Sequence, residues 1–89
     1  MLFRSRPSRA PVISWNPFSE QFTWDATPLV QPFLVFEVSL DGLSGWTREG
    51  FVVTSDETYG PSSSNYYRAF QSSDGTVLDS PASNVVQAT

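Results

Sequence analysis

Phe33-Leu34-Val35-Phe36-Glu37-Val38-Ser39-Leu40 narrows the fold of this chain more than any other stretch. On an extended backbone, Leu34, Phe36, Val38 and Leu40 fall on one side. Phe33, Val35, Glu37 and Ser39 fall on the other. The first half is therefore apolar on both faces, as a central strand covered from both sides needs to be. Asp41-Gly42 follows as a turn signal, because glycine accepts the positive φ that tight turns require. The loop extends to Gly45.

Shorter alternating runs surround it. Pro11-Val12-Ile13-Ser14-Trp15 reads as a first or edge strand, since Pro11 has no N–H for a ladder. Asn16-Pro17 marks a turn. In Glu20 to Ala26, Phe22, Trp24 and Ala26 share one face, and Thr27-Pro28 ends the run. Trp46 to Thr54 forms one bent strand or two short ones, with Gly50 as the break. Residues 55–64 read as an exposed loop. Asn65 to Gln71, the Asp74-Gly75 turn and the run Ser83 to Thr89 read as a closing hairpin. Either Tyr66 or Tyr67 faces inward there. Tyr66 would take Arg68 and Phe70 with it, and Tyr67 would take Ala69.

No segment carries helical periodicity over eleven or more residues. Short strands with turn signals every 8–12 residues predict an all-β chain, an antiparallel sandwich or small barrel. Its expected core is Phe22, Trp24, Leu34, Phe36 and Val38. A chain of 89 residues suffices for one domain.

Charge divides the chain. Arg4, Arg6 and Arg9 lie in residues 1–10, which hold no acid. Residues 11–89 hold two arginines against nine acids, a net −7. Residues 1–10 therefore read as a flexible, extended basic arm, and residues 11–89 as the folded body. Arg4, Arg6 and Arg9 are the candidate partner-binding residues of the arm. Nucleic acid is a poor match for them: three arginines neutralise about three phosphates, and the acidic body repels the backbone. No apolar run approaches the ~20 residues that span a membrane, and no signal-peptide core is present.

The residue inventory restricts the chemistry. Without cysteine or histidine there is no thiol nucleophile, no thiolate or imidazole metal ligand, and no imidazole base. Asp41, Asp56, Glu57, Asp74 and Asp79 offer oxygen ligands, but their spacing matches no calcium loop and they sit in turns. No metal, cofactor or catalytic residue is expected, and the chain reads as a non-enzyme. The aromatics Trp46 and Tyr59, with Trp15 and Phe51, are candidates to stack on a sugar or anchor an interface.

Four passages together resemble a fibronectin type III module, an immunoglobulin-like sandwich of about seven strands with Greek-key connections. Phe22-Thr23-Trp24-Asp25-Ala26 is similar to its second strand. Phe36-Glu37-Val38 with Asp41-Gly42 and Trp46-Thr47 resembles the third strand and its turn. Tyr66-Tyr67-Arg68-Ala69 with Asp74-Gly75 resembles the sixth, and Ser83 to Thr89 the seventh. The resemblance covers about residues 10–89, and the segment between Trp46 and Tyr66 departs from it. It implies a non-enzymatic structural protein. By analogy with compact free-standing modules of this type, the expectation is a phage virion component, such as a capsid decoration protein, head fibre or tail accessory. Its partner would be a capsid or tail lattice, or further copies of itself, gripped through the arm. The alternative is a carbohydrate- or protein-binding adhesion module, extracellular or at a cell surface, using Trp46 and Tyr59.

Overall fold

A computed structural model describes residues 8–89 of the chain. It is all-β: β1 (Ile13–Asn16), β2 (Gln21–Trp24), β3 (Phe33–Ser39), β4 (Thr47–Val53), β5 (Tyr66–Ser72) and β6 (Val86–Gln87). A single 3-10 turn, Thr54–Asp56, follows β4. All pairings are antiparallel. β1 and β2 form a two-stranded sheet, and the second sheet has the order β4-β3-β5-β6.

β3 is central, with β4 on one side and β5 on the other. Leu34 and Phe36 are fully buried on the face turned to the β1–β2 sheet, where they join Ile13, Phe22, Tyr67, Ala69 and Ala88 in one cluster. Phe22 lies at its middle. Its ring is 4.9 Å from Trp15, 5.2 Å from Tyr67 and 5.8 Å from Phe36. Trp24 and Val38 are half-buried at the margin of this cluster. Leu40, in phase with Leu34 on sequence, is 84% exposed because β3 stops at Ser39 and the chain turns away.

The opposite face of β3 is covered as well. Val35 is fully buried there, opposite Phe51 on β4 and Phe70 on β5. The loop after β5 folds onto this face. A Cβ at Gly75 would stand 3.3 Å from the Phe51 ring, and Gly75 has φ +89°, so both space and backbone demand glycine. Further along, Arg68 pairs with Glu37 at 2.8 Å and lies over the Trp46 ring at 4.3 Å. Tyr67 and Ala69 therefore take the inward register, and Arg68 and Phe70 the outer face.

Three expectations need correction. Among the described residues six strands are present where about seven were expected. The span between β4 and β5 contributes only one antiparallel bridge, Tyr59 to Phe22, because Gly60-Pro61 breaks the extended run. The closing hairpin is also looser than its Asp-Gly signal implies. β6 has only two residues. Ahead of it, Asp79 and Ser83 donate to the Gln71 and Ala69 carbonyls, while the Ser80 and Ser83 hydroxyls accept the Gln71 and Ala69 amides. Serine side chains replace backbone acceptors where Pro81 bends the chain.

The third correction concerns the arm. Ser8 N–H donates to the Asp79 carbonyl at 2.8 Å, Gln31 donates to Ser8 Oγ, and the Arg9 carbonyl accepts from Gln71. Residues 8–10 thus belong to the folded body, with the Arg9 side chain exposed. Arg4 and Arg6 lie outside the described residues.

Gln71 fastens this end. Its amide is fully buried, and its Oε1 accepts from the Val30 and Gln31 amides at 2.8 and 3.0 Å. Its Nε2 donates to the Arg9 and Pro28 carbonyls, both at 2.8 Å. Both donors and both lone pairs are used.

Two stability measurements check this account by urea unfolding. Gln71→Leu should cost about 2–4 kcal/mol, since it strands two amides and two carbonyls of two separate segments. Phe22→Ala should cost about 3–5 kcal/mol, and Trp24→Ala about 1.5–3 kcal/mol because only part of its surface leaves water. Equal losses at Phe22 and Trp24 would contradict the placement of Trp24 at the margin.

Candidate functional site

The end of the molecule opposite Gln71 carries the β1–β2 turn, the β3–β4 turn, the serine loop 61–65 and residues Ala88 and Thr89. Two grooves flank the serine loop. One, of about 230 Å3, is lined by Trp15, Glu20, Pro61, Ser62–Ser64, Ala88 and Thr89. The other, of about 320 Å3, lies against Val38, Ser39, Leu40, Thr47, Glu49 and Asn65, and shares Ser62 and Ser63 with the first.

Glu49 holds this loop. The β3–β4 ladder pairs Phe36 with Gly50 and Glu37 with Arg48, so Glu49 sits unpaired in a bulge. The bulge turns its carboxylate toward the interior. The Tyr59 hydroxyl donates to Oε1, and the Tyr67 hydroxyl donates to Oε2 at 2.6 Å. Ser62 adds its hydroxyl to Oε2 at 2.7 Å and its amide to Oε1 at 3.4 Å. Four donors fill the four acceptor positions of a carboxylate. Glu49 therefore acts as a clasp between β4, β5 and the loop, with no lone pair left for a substrate.

The titrations follow from this geometry. Burial pushes Glu49 up, but the hydrogen bonds from Tyr59, Tyr67 and Ser62 outweigh it and hold the carboxyl below its ordinary value. Burial first, and the Glu49 carboxylate second, push the Tyr59 and Tyr67 hydroxyls above the ordinary phenol range.

The aromatic candidates are used internally. Tyr59 stacks on Phe36 at 4.2 Å with 11° between the rings, and its hydroxyl is bound to Glu49. One face of the Tyr59 ring is therefore occupied within the body. Trp46 is half-buried and holds the Arg68 guanidinium against its ring. The exposed apolar tips are instead Phe18, 97% exposed on the β1–β2 turn, with Leu40 and Leu43 on the β3–β4 turn.

The turn acids are explained locally. Asp41 Oδ1 accepts the Leu43 and Ser44 amides, which lower its carboxyl. Asp74 Oδ1 accepts the Val77 and Thr76 amides, which bring Asp74 down to about 2. Among the described residues no three acids converge to hold a metal ion. No helix there is long and apolar enough to cross a membrane. No protein family, characterised protein or solved structure matches this chain.

Glu49 and Gln71 escaped the sequence reading. Glu49 sits beside Gly50, the break that marked an irregular strand. That signal locates a bulge but not which residue it turns inward. Gln71 shares the parity of Tyr67 and Ala69, and that parity becomes informative only once Tyr67 is known to face inward.

The Glu49 clasp predicts a pH dependence of stability. Its depressed folded pKa stabilises the fold above the ordinary carboxylate range, and the contribution is lost as pH falls through the folded value. The raised tyrosine values stabilise below about pH 10, and that contribution is lost as pH rises further. Unfolding measured from pH 7 to 2 should show Glu49→Gln less stable than the wild type at neutral pH, with the gap closing in acid. A gap independent of pH would refute the clasp.

Proposed function

We propose that this chain is a fibronectin type III-like β-sandwich that serves as a non-enzymatic structural component of a virion, attached through its basic N-terminal segment. The fold reading draws on strand order. The chain leaves β4 at a sheet edge, passes beside β2 at Tyr59, and returns as β5 on the far side of β3. That path fits a Greek key, with the segment around Tyr59 as the strand that shrinks to one bridge.

The observation that carries the functional reading is the division of charge. Residues 8–89 hold three arginines against nine acids, a net −6, while residues 1–7 hold two arginines and no acid. Opposite charge on a short terminal segment suits attachment to a surface that the body itself does not contact. Repeated copies on a symmetric lattice would add the avidity that one short segment lacks. The non-enzymatic reading draws support from the clasp, because the most buried acid of the grooves has every acceptor position filled. An adhesion role for Trp46 and Tyr59 is less well supported, since each has a ring face occupied within the body.

Photo-crosslinking from position 4, in cells producing the whole assembly, tests this. The expected product is one repetitive shell or tail protein, with yield falling as salt rises toward 0.5 M, where the Debye length drops to a few ångströms. Crosslinks only to nucleic acid or lipid would overturn it.

A further inference from the structure

We propose that two copies of this chain pair through their β4 edges, antiparallel about a two-fold axis at Val52, with Phe51 and Val53 carrying the contact. This stands apart from the attachment reading above and does not depend on it.

The ladder fixes which groups β4 leaves open. Its register sets Phe33 opposite Val53, Leu34 opposite Val52 and Val35 opposite Phe51. One step beyond, Thr54 N–H donates to the Pro32 carbonyl at 2.8 Å, so those two residues form a hydrogen-bonded pair. Such pairs recur at every second position of an antiparallel ladder. Val52 and Gly50 are therefore bonded to Leu34 and Phe36, and Phe51 and Val53 turn both N–H and C=O away from β3. The other side of the sheet agrees with this phase. If Leu34 and Phe36 bond toward β4, Val35 bonds toward Phe70, and Ala69 and Gln71 must bond outward. They do so, to Ser83, Asp79 and Ser80. Among the described residues no backbone segment meets Phe51 or Val53 in that way.

Natural edge strands are guarded by charge, proline or bulges. On β4 the bulge at Glu49 guards only the first half. Gly50 to Val53 carries no charge. Phe51 and Val53 are 53% and 40% exposed, with the Phe33 ring 5.5 Å from Phe51. The chain also leaves the edge clear as it exits. The Thr54 carbonyl accepts from Trp24 Nε1 at 3.3 Å and Tyr59 pairs with Phe22, so the path after Val53 runs toward the β1–β2 sheet.

The occupant that fits is a second copy, because the open pattern is complementary to itself. With Val52 on the axis, Phe51 of each copy lies opposite Val53 of the other. Both are then hydrogen-bonded pairs, and the four open groups of each copy are all used. A slide of two residues either way sets Val53 against the bulge at Glu49, or Phe51 against Ser55 in the 3-10 turn. The favoured register lays the Phe51 and Val53 side chains of both copies side by side on the outer face. It also carries Arg48 of each copy toward the exposed acids Asp56 and Glu57 of the other. A contact through one short edge falls below the ~1,200 Å2 of standard interfaces, so the dimer is weak and follows concentration.

The backbone supplies a selective block. Val53 has φ −76° and ψ 132°, which proline adopts, and its N–H is one of the open groups. Val53→Pro therefore removes a donor that only the dimer uses. Val53→Glu keeps every backbone group and places like charges across the contact. Sedimentation of the full chain over about a hundredfold range of concentration tests this. Salt at about 0.5 M screens the repulsion between the acidic bodies. The wild type should pass from monomer to dimer, and both variants should stay monomeric with unfolding midpoints near that of the wild type. Amide exchange at Phe51 and Val53 should be fast in dilute solution and slow roughly tenfold or more as the dimer fills. Gly50 and Val52 should be slow throughout. A wild type that is monomeric at every concentration overturns the inference. So does a dimer that survives Val53→Glu, whether or not Val53→Pro folds. Slow exchange of Phe51 and Val53 in the dilute monomer overturns it too, because the edge is then covered from within the chain.

Discussion

The four hydrogen bonds of the Gln71 amide hold together segments that no strand ladder joins. Arg9, Pro28, Val30 and Gln31 lie in two stretches of irregular backbone, and each presents a group that a ladder would otherwise satisfy. Buried in an apolar setting, such groups are costly when unpaired. One glutamine on β5 pairs all four and thereby fixes where the chain enters and where β2 hands over to β3. A chain of 89 residues without cysteine has no disulfide to do this. At the opposite end the Glu49 carboxylate performs the equivalent task with two tyrosines and a serine. The ring cluster around Phe22 lies between these two polar fastenings.

The arrangement explains why a thin molecule can bury a strand on both faces. The inward face of β3 meets the rings of the two-stranded sheet. Among the described residues its outward face meets no third sheet, and cover comes from the loop after β5. That cover needs Gly75 to sit on Phe51, Asp74 to hold the turn through the Thr76 and Val77 amides, and Arg48 to bond the Thr76 carbonyl. The Asp74-Gly75 pair thus shapes a lid over Val35 and does not link two strands directly. Arg68 completes the cover, its stem and guanidinium lying between Trp46 and Phe70 while its charge is met by Glu37.

What was legible in the sequence follows the same division. Period-two alternation located β2 and β3, and the apolar run on both sides of Val35 correctly implied two covered faces. Alternation assumes unbroken pleat, and it failed where the pleat breaks. The bulge turned Glu49 inward, so a charged residue in a strand became the centre of a network. The end of β3 at Ser39 released Leu40 to solvent although its phase matched Leu34. Alternation also assumes that strands pair through their backbones. Ser80, Ser83 and Asn84 satisfy β5 and β1 through side chains, so the final run of the chain carries few ladder residues and little strand signal. Tyr59 was read as an exposed loop ring because its neighbours are polar. Its burial comes from Phe36 and Glu49, which are distant in sequence.

The charge division acquires a structural meaning from these contacts. Arg48 is bound to a carbonyl of the loop after β5 and Arg68 to Glu37, and the nine acids of residues 8–89 still outnumber its three arginines. Asp74 stays ionised down to about 2, and the hydrogen bonds to Asp41 lower it as well. The body is therefore persistently anionic over the ordinary pH range, and two bodies approaching through their β4 edges repel each other. Repulsion of this kind is screened within about a Debye length, so it guards the edge against distant approach but not against a neighbour held close.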